Sequence, residues 1–219
     1  MKTIYLVRHG KAISRDLDIP DFERSLMDKG EKNSVKMAQW LKDKDLTADL
    51  FISSPASRAL ETAKIFAKVF TYPEDKILLE KGIYDDIDSK SFFTFLKKID
   101  DQYNSVMVFG HEPTISGFVS DLVPEFSAGM SKSGIAGITL PIKKWSDVKP
   151  GIGILKLLLS PGKSSKARIA FSQVIQKRLE QQAFQFLESV DPETAAKIRT
   201  FIKKSNAEIT KKFMDQFLL

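Results

Sequence analysis

Three short apolar runs, each closed by a polar turn, frame this chain: Thr3–Val7, Asp49–Ile52 and Ser105–Phe109. Runs of this length that stay apolar, without alternating with polar residues, are the pattern of strands buried on both faces of a parallel sheet. Between them the apolar period lengthens to that of helices. Asp28 is a candidate cap for a helix to about Asp43, with Val35, Met37, Ala38, Trp40 and Leu41 as its apolar positions. Ser57–Phe70 repeats that period through Leu60, Ala63, Ile65, Phe66 and Val69, and Ser89 is placed to cap Phe92–Ile99. Pro113, at a first helical position, opens a further helix through Val123. Strands alternating with helices of this size predict a layered α/β sheet.

Two later runs, Ile135–Leu140 and Ile152–Leu159, read as further strands separated by a turn-rich stretch from Trp145 to Gly151. Ser160-Pro161-Gly162-Lys163-Ser164-Ser165 then breaks the pattern, which divides the chain into a domain over 1–162 and an extension over 163–219. The extension predicts an αα-hairpin. Its first helix aligns Phe171, Ile175, Leu179, Ala183, Phe186 and Leu187, and its second aligns Ala195, Ile198, Phe201, Ile202, Ile209 and Phe213. Asp191-Pro192-Glu193 between them has the order of an N-cap, a first-position proline and a first-turn acid.

Composition narrows the classes. With 42% hydrophobic and 28% charged residues among 219, the chain is expected to fold as a soluble globular protein. No apolar run approaches the roughly 18 residues that span a bilayer, and the amino terminus shows no signal-peptide pattern. There is no cysteine, so disulfides, thiolate ligands and cysteine nucleophiles are excluded. A cytoplasmic location is expected. The net charge of +6 is concentrated late, where residues 162–219 hold 11 Lys or Arg against six Asp or Glu. Acids interleave with those bases and no basic-aromatic face forms, so a solvated helix surface is expected rather than nucleic-acid binding.

The chemistry is concentrated at the ends of the first three runs. The chain has two histidines, and they fall in Val7-Arg8-His9-Gly10 and Phe109-Gly110-His111-Glu112-Pro113, while the third run leads into Ser53-Ser54-Pro55-Ala56-Ser57-Arg58. In open α/β sheets ligands bind outside the carboxyl ends of the strands. If the three strands are parallel neighbours, Arg8, His9, Arg58 and His111 converge there. Guanidiniums offer fixed donor forks to phosphate oxygens, and a neutral imidazole is a competent nucleophile for phosphorus. His111, if protonated, adds another donor. Asp16, Asp18 and Asp21 miss the spacing of a calcium loop, and two histidines are too few for an imidazole cluster. No metal and no cofactor is therefore expected, and activity should survive chelators.

Those motifs, in this order, resemble the histidine phosphatase or phosphoglycerate-mutase-like superfamily: Leu6-Val7-Arg8-His9-Gly10, then Ser53 through Ala63, then Phe109 through Pro113. Within it, Arg8 to Ala12, Phe22 to Leu26 with Gly30, and Trp145 to Pro161 are similar to the small protein-histidine phosphatases. The resemblance covers about residues 1–162 and implies a three-layer sandwich around a mostly parallel sheet. It also implies that His9 accepts the phosphoryl group and that Arg8, Arg58 and His111 complete the pocket. Lys11 and Arg24 become candidates for holding substrate at its rim. The acidic motif that many superfamily members use to protonate the leaving oxygen is absent. Glu80 is the first candidate for that acid, with Asp85, Asp86 and Asp88 near it. A phosphohistidine substrate relaxes the demand, because the departing imidazole nitrogen can already carry a proton. The expected activity is therefore a phosphohydrolase acting on phosphohistidine in proteins. A sugar-phosphate-type phosphatase and a phosphate-pocket scaffold are the alternatives. The apolar stripes of the hairpin must be covered, either within one chain or by pairing with a second copy into a homodimer.

Overall fold

The computed structural model describes residues 1–85, 87–162, 165–190 and 192–217, with side chains of the terminal helices described at 174–189, 193 and 198–212. Strands β1 (Lys2–Arg8), β2 (Leu50–Ser53), β3 (Leu78–Leu79), β4 (Ser105–Gly110), β5 (Ile135–Leu140) and β6 (Ile154–Leu159) form one sheet in the order β3-β2-β4-β1-β5-β6. β1 to β4 run parallel, β5 runs antiparallel to β1, and β6 pairs antiparallel with β5. The first three predicted strands are thus adjacent, with β4 between β2 and β1. β3 was not anticipated, because two exposed leucines carry no periodic signal.

Helices α1 (Asp28–Lys42) and α2 (Ser57–Phe70) cover one face, where Met37, Ala38, Leu41, Ala63, Phe66 and Ala67 pack on Tyr5, Val7, Phe51, Met107, Phe109 and Ile135. Strand alternation sends Ile4, Leu6, Leu50, Ile52, Val106 and Val108, all buried, to the other face. There α4 (Thr114–Leu122) packs on β1, and α3 (Ser89–Leu96) packs on α4 through the stacked rings of Phe92 and Phe118. The result is an α/β sandwich of three layers.

Several local expectations shift by a residue or change partner. Asp28 lies inside α1, whose N-cap is Met27. α3 is capped by Asp88, not Ser89, because the Asp88 carboxylate accepts the Ser91 N–H at 2.7 Å. Pro113 is the cap of α4 rather than its first residue. Val35 and Trp40 face solvent, and Gly30 and Ser34 are buried on α1 instead. Small residues there let α1 approach the loop after β1.

The chain divides into two compact units. One runs from Met1 to Pro124 and from Ala128 through β6, and the other joins Glu125–Ser127 to α5 (Ser165–Val190) and α6 (Pro192–Phe217). α5 and α6 pack against each other. The boundary expected at 162/163 and the capping role expected of Asp191 fall on residues outside those described. Phe186, Phe201 and Ile209 are exposed, so they are not on the buried seam that their helical spacing suggested. No helix among the described residues is long and apolar enough to cross a membrane.

Candidate active site

Register alone brings the key residues together. Arg8 pairs with Gly110 at the end of β1 and β4, and Ser53 pairs with Phe109 at the end of β2, so the three strands stop at one level. His9 and His111 follow directly, with ring centroids 5.1 Å apart. Arg58, in the first turn of α2, reaches the same edge and is buried with both histidines.

The loop after β1 is pinned from every side. His9 N–H donates to Gly110 O, Ser133 N–H donates to His9 O, and Gly10 N–H donates to the Thr62 hydroxyl of α2. A Cβ on Gly10 would lie 2.9 Å from Gly30 O and from Ser34 Oγ, so only glycine allows this approach to α1. A Cβ on Gly30 would meet the Lys11 backbone. The glycines keep α1 tight against the loop that carries His9.

His9 Nδ1 lies 2.7 Å from Gly10 O, which can only accept. Nδ1 therefore carries the ring proton, and Nε2 keeps its lone pair. Burial first, and then the neighbouring charges of His111, Arg58 and Arg8, hold the His9 pKa down to about 3, although the Gly10 bond works the other way. His111 is held at about 4, by burial foremost and then by Arg58. At neutral pH it is thus an uncharged imidazole, not the protonated donor considered above. Its Nε2 sits 2.8 Å from Ser54 Oγ, which also accepts the Ala56 N–H at 3.3 Å. We assign the Ser54 hydroxyl proton to that bond, which leaves Nδ1–H as the free ring donor. His111 Nδ1, Arg8 Nε and Arg58 Nε are buried without a partner. Buried donors left unmatched are costly, and a bound oxyanion would satisfy them.

The structure distributes the other candidates unequally. Arg8 donates Nη1 to Met130 O. Lys11 is exposed, and the ammonium of Lys132 is disfavoured first by burial and then by Arg8, Lys11 and Arg24, which puts these cations on one flank. Arg24 lies beneath the rim at 7% exposure, with Nη1 on Ile13 O and both Nε and Nη2 on Asp21 Oδ1. Glu80 caps the turn after β3 by accepting the Gly82 N–H and is absent from the cleft lining. Asp85 does line the cleft, with Arg15, Asp21, Arg58, Tyr84, His111 and Glu112. Asp86 lies outside the described residues, and Asp88 serves as the α3 cap.

Asp21, Ser54 and Tyr84 were not singled out from the sequence. Asp21 entered only as a calcium-loop candidate, although its spacing of three residues from Arg24 was readable as a charge pair. Its carboxylate meets Arg24 at 2.6 Å, Arg58 at 2.9 Å and Arg15 at 3.3 Å, and the Tyr84 hydroxyl lies 3.4 Å away. Burial alone would raise its pKa, but the hydrogen bonds and charges of Arg24 and Arg58 outweigh that and hold it at about 2. It is therefore ionised at neutral pH and holds no proton to give.

Residues 4–83 match the sequence profile of the histidine phosphatase superfamily (branch 1). A protein of Schizosaccharomyces pombe named as a probable phosphatase is 40% identical over 86 residues, a stretch covering 37% of this chain and 38% of the yeast protein. The chain therefore spans well under half the length of that relative. Among solved structures, the protein histidine phosphatase SixA complexed with tungstate is 27% identical, with a TM-score of 0.60 over 73% of this chain and 97% of its own. A SixA candidate from Agrobacterium tumefaciens shares the fold at a TM-score of 0.61 and 23% identity, over 73% of this chain and 99% of that one.

Proposed function

We propose that the chain is a member of the histidine phosphatase superfamily, whose profile residues 4–83 match, and that it is a phosphohydrolase working through a phosphoryl group carried on His9. The observation that carries this reading is the neutral His9 ring, with Nδ1–H tied to Gly10 O and Nε2 left as a base among cationic donors. Nε2 attacks phosphorus, a P–N bond to His9 forms, and the substrate's bond to phosphorus breaks. Arg8, Arg58 and the His111 Nδ1–H stabilise charge on the equatorial oxygens, where preorganised donors contribute most. Water then attacks the phosphohistidine, releases inorganic phosphate and restores neutral His9. Tungstate is a tetrahedral oxyanion, and its complex with the SixA relative supports an oxyanion seat here.

Phosphohistidine in proteins is the substrate class we favour. Its leaving imidazole can depart with a proton already on nitrogen, whereas an alkoxide needs an acid. The carboxylate that touches Arg58 is Asp21, which is fully ionised at neutral pH, and Glu80 is committed to its turn. The experiment is a turnover panel of phosphohistidine, phosphoserine and phosphotyrosine peptides and sugar phosphates, with His9→Ala as control and mass spectrometry of trapped enzyme. A phosphoryl group on His9 and the highest kcat/KM for phosphohistidine are expected. Equal or better turnover of the sugar phosphates would move the substrate class to small metabolites. No phosphoryl on His9 would leave a binding role.

A further inference from the structure

Of the two pocket arginines, Arg8 gives Nη1 to Met130 O, while Arg58 has both Nη1 and Nη2 taken by one residue. Its Nη1 donates to Asp21 O and its Nη2 to Asp21 Oδ2, while Nε, buried, has no partner. Asp21 thus occupies the outer end of the fork and leaves the Nε side for a ligand. The same carboxylate receives Arg24 through Nε and Nη2, and Arg24 in turn donates Nη1 to Ile13 O. Ile13 belongs to the stretch that follows His9, held by Ile13 N–H to Ser25 O and by the Ala12–Leu26 bridge. A continuous chain of hydrogen bonds therefore runs from the His9 loop through Arg24 and Asp21 to Arg58. Tyr84, edge-on to both His111 and Phe22, closes the far side with its hydroxyl toward Asp21.

We propose that Asp21 is a positioning residue, which fixes the Arg58 guanidinium through its carbonyl and carboxylate and sets its distance from the His9 loop through Arg24. The proposal rests on the phosphoryl-transfer reading above. A guanidinium stem has several rotatable bonds, and an unanchored Arg58 would lose the orientation that makes its fork useful in the transition state. One ionised carboxylate shared by three arginines also offsets part of their mutual repulsion, so the cations stay close without moving apart. Arg24, a rim candidate by sequence, acts here as the strut between the two halves of the pocket.

A double-mutant cycle on the full-length protein tests this, with a phosphohistidine peptide as substrate and orthovanadate as inhibitor. Asp21→Ala is expected to lower kcat on the order of 10²-fold, the cost of misplacing a reacting partner, with a smaller change in KM. Asp21→Asn, which keeps one acceptor oxygen for Arg58, should recover part of that loss. In an Arg58→Ala background the Asp21 substitution should cost almost nothing further, since its effect passes through Arg58. An equal loss in both backgrounds would make Asp21 merely structural and overturn the proposal. So would a gain in kcat/KM with tighter vanadate binding, which would mark the carboxylate as a plug on the anion seat. If Asp21→Ala does not fold, the same cycle is read with Asp21→Asn. Failure of the wild-type protein to phosphorylate His9 would instead remove the underlying function and is read separately.

Discussion

In the proposed mechanism His9 must be neutral to attack phosphorus, and burial and nearby cations together favour that neutral form. A histidine whose folded pKa lies below its unfolded value of about 6.5 adds stability that is complete above that pH. The contribution is lost as pH falls toward the folded values, about 3 for His9 and about 4 for His111. Each should cost about 1.4 kcal/mol per pH unit across that window, or roughly 2 kcal/mol at pH 5. Urea titrations at pH 7.5 and pH 5 should show the drop, and imidazole nitrogen NMR should find both rings uncharged at pH 5. Asp21, with its depressed pKa of about 2, contributes in the same direction but lower in range: its stability is complete above the ordinary carboxylate value of 3.8 and is lost as pH falls from there toward about 2. Truncation of Arg58 to Ala should reduce kcat on the order of 10²- to 10³-fold, the usual cost of removing a preorganised donor, as read by steady-state kinetics. At this scale Arg8, His9, Arg58 and His111 were legible because their residue types and strand-end positions are chemical signals. Asp21 was not, because a carboxylate in a polar loop looks like any solvated charge until its partners are known.

The elements hold the site by close approach as much as by hydrophobic burial. Gly30, in α1, lies against the Lys11 backbone, where an added Cβ would come within 2.2 Å of Lys11 O. An alanine normally strengthens a helix interior by up to about 1 kcal/mol over glycine. Here Gly30→Ala is expected to lower Tm and kcat together, because relief of the clash displaces the loop two residues from His9. A calorimetric scan with kinetics on the same sample checks it. Asp88→Ala offers the contrast. It removes the α3 cap and should lower the urea midpoint without altering turnover. Helix and strand existence followed from periodicity, and α2 and β5 fall where the sequence placed them. The caps and the exposed Trp40 were missed because both depend on what lies opposite, which a one-dimensional period does not contain.

At the scale of the whole chain, Phe186 and Phe201 remain 68% and 71% exposed. Large apolar side chains on one helical pair invite a partner, and we propose that a second copy of this chain covers them. Light scattering of the full-length protein should give a dimer, and Phe186→Glu with Phe201→Glu should give a monomer with unchanged kcat. The sequence by itself determined the alternation of strands and helices, the lack of cysteine and the basic side chains Arg8, His9, Arg58 and His111 at the strand ends, because each depends on residue type and local spacing. Tertiary structure alone decided that β4 lies between β1 and β2, that both histidines stay uncharged, and that Asp21 joins Arg24 to Arg58. Those depend on solvent exclusion and on distances between residues far apart in the chain, and both come into being only when the sheet assembles.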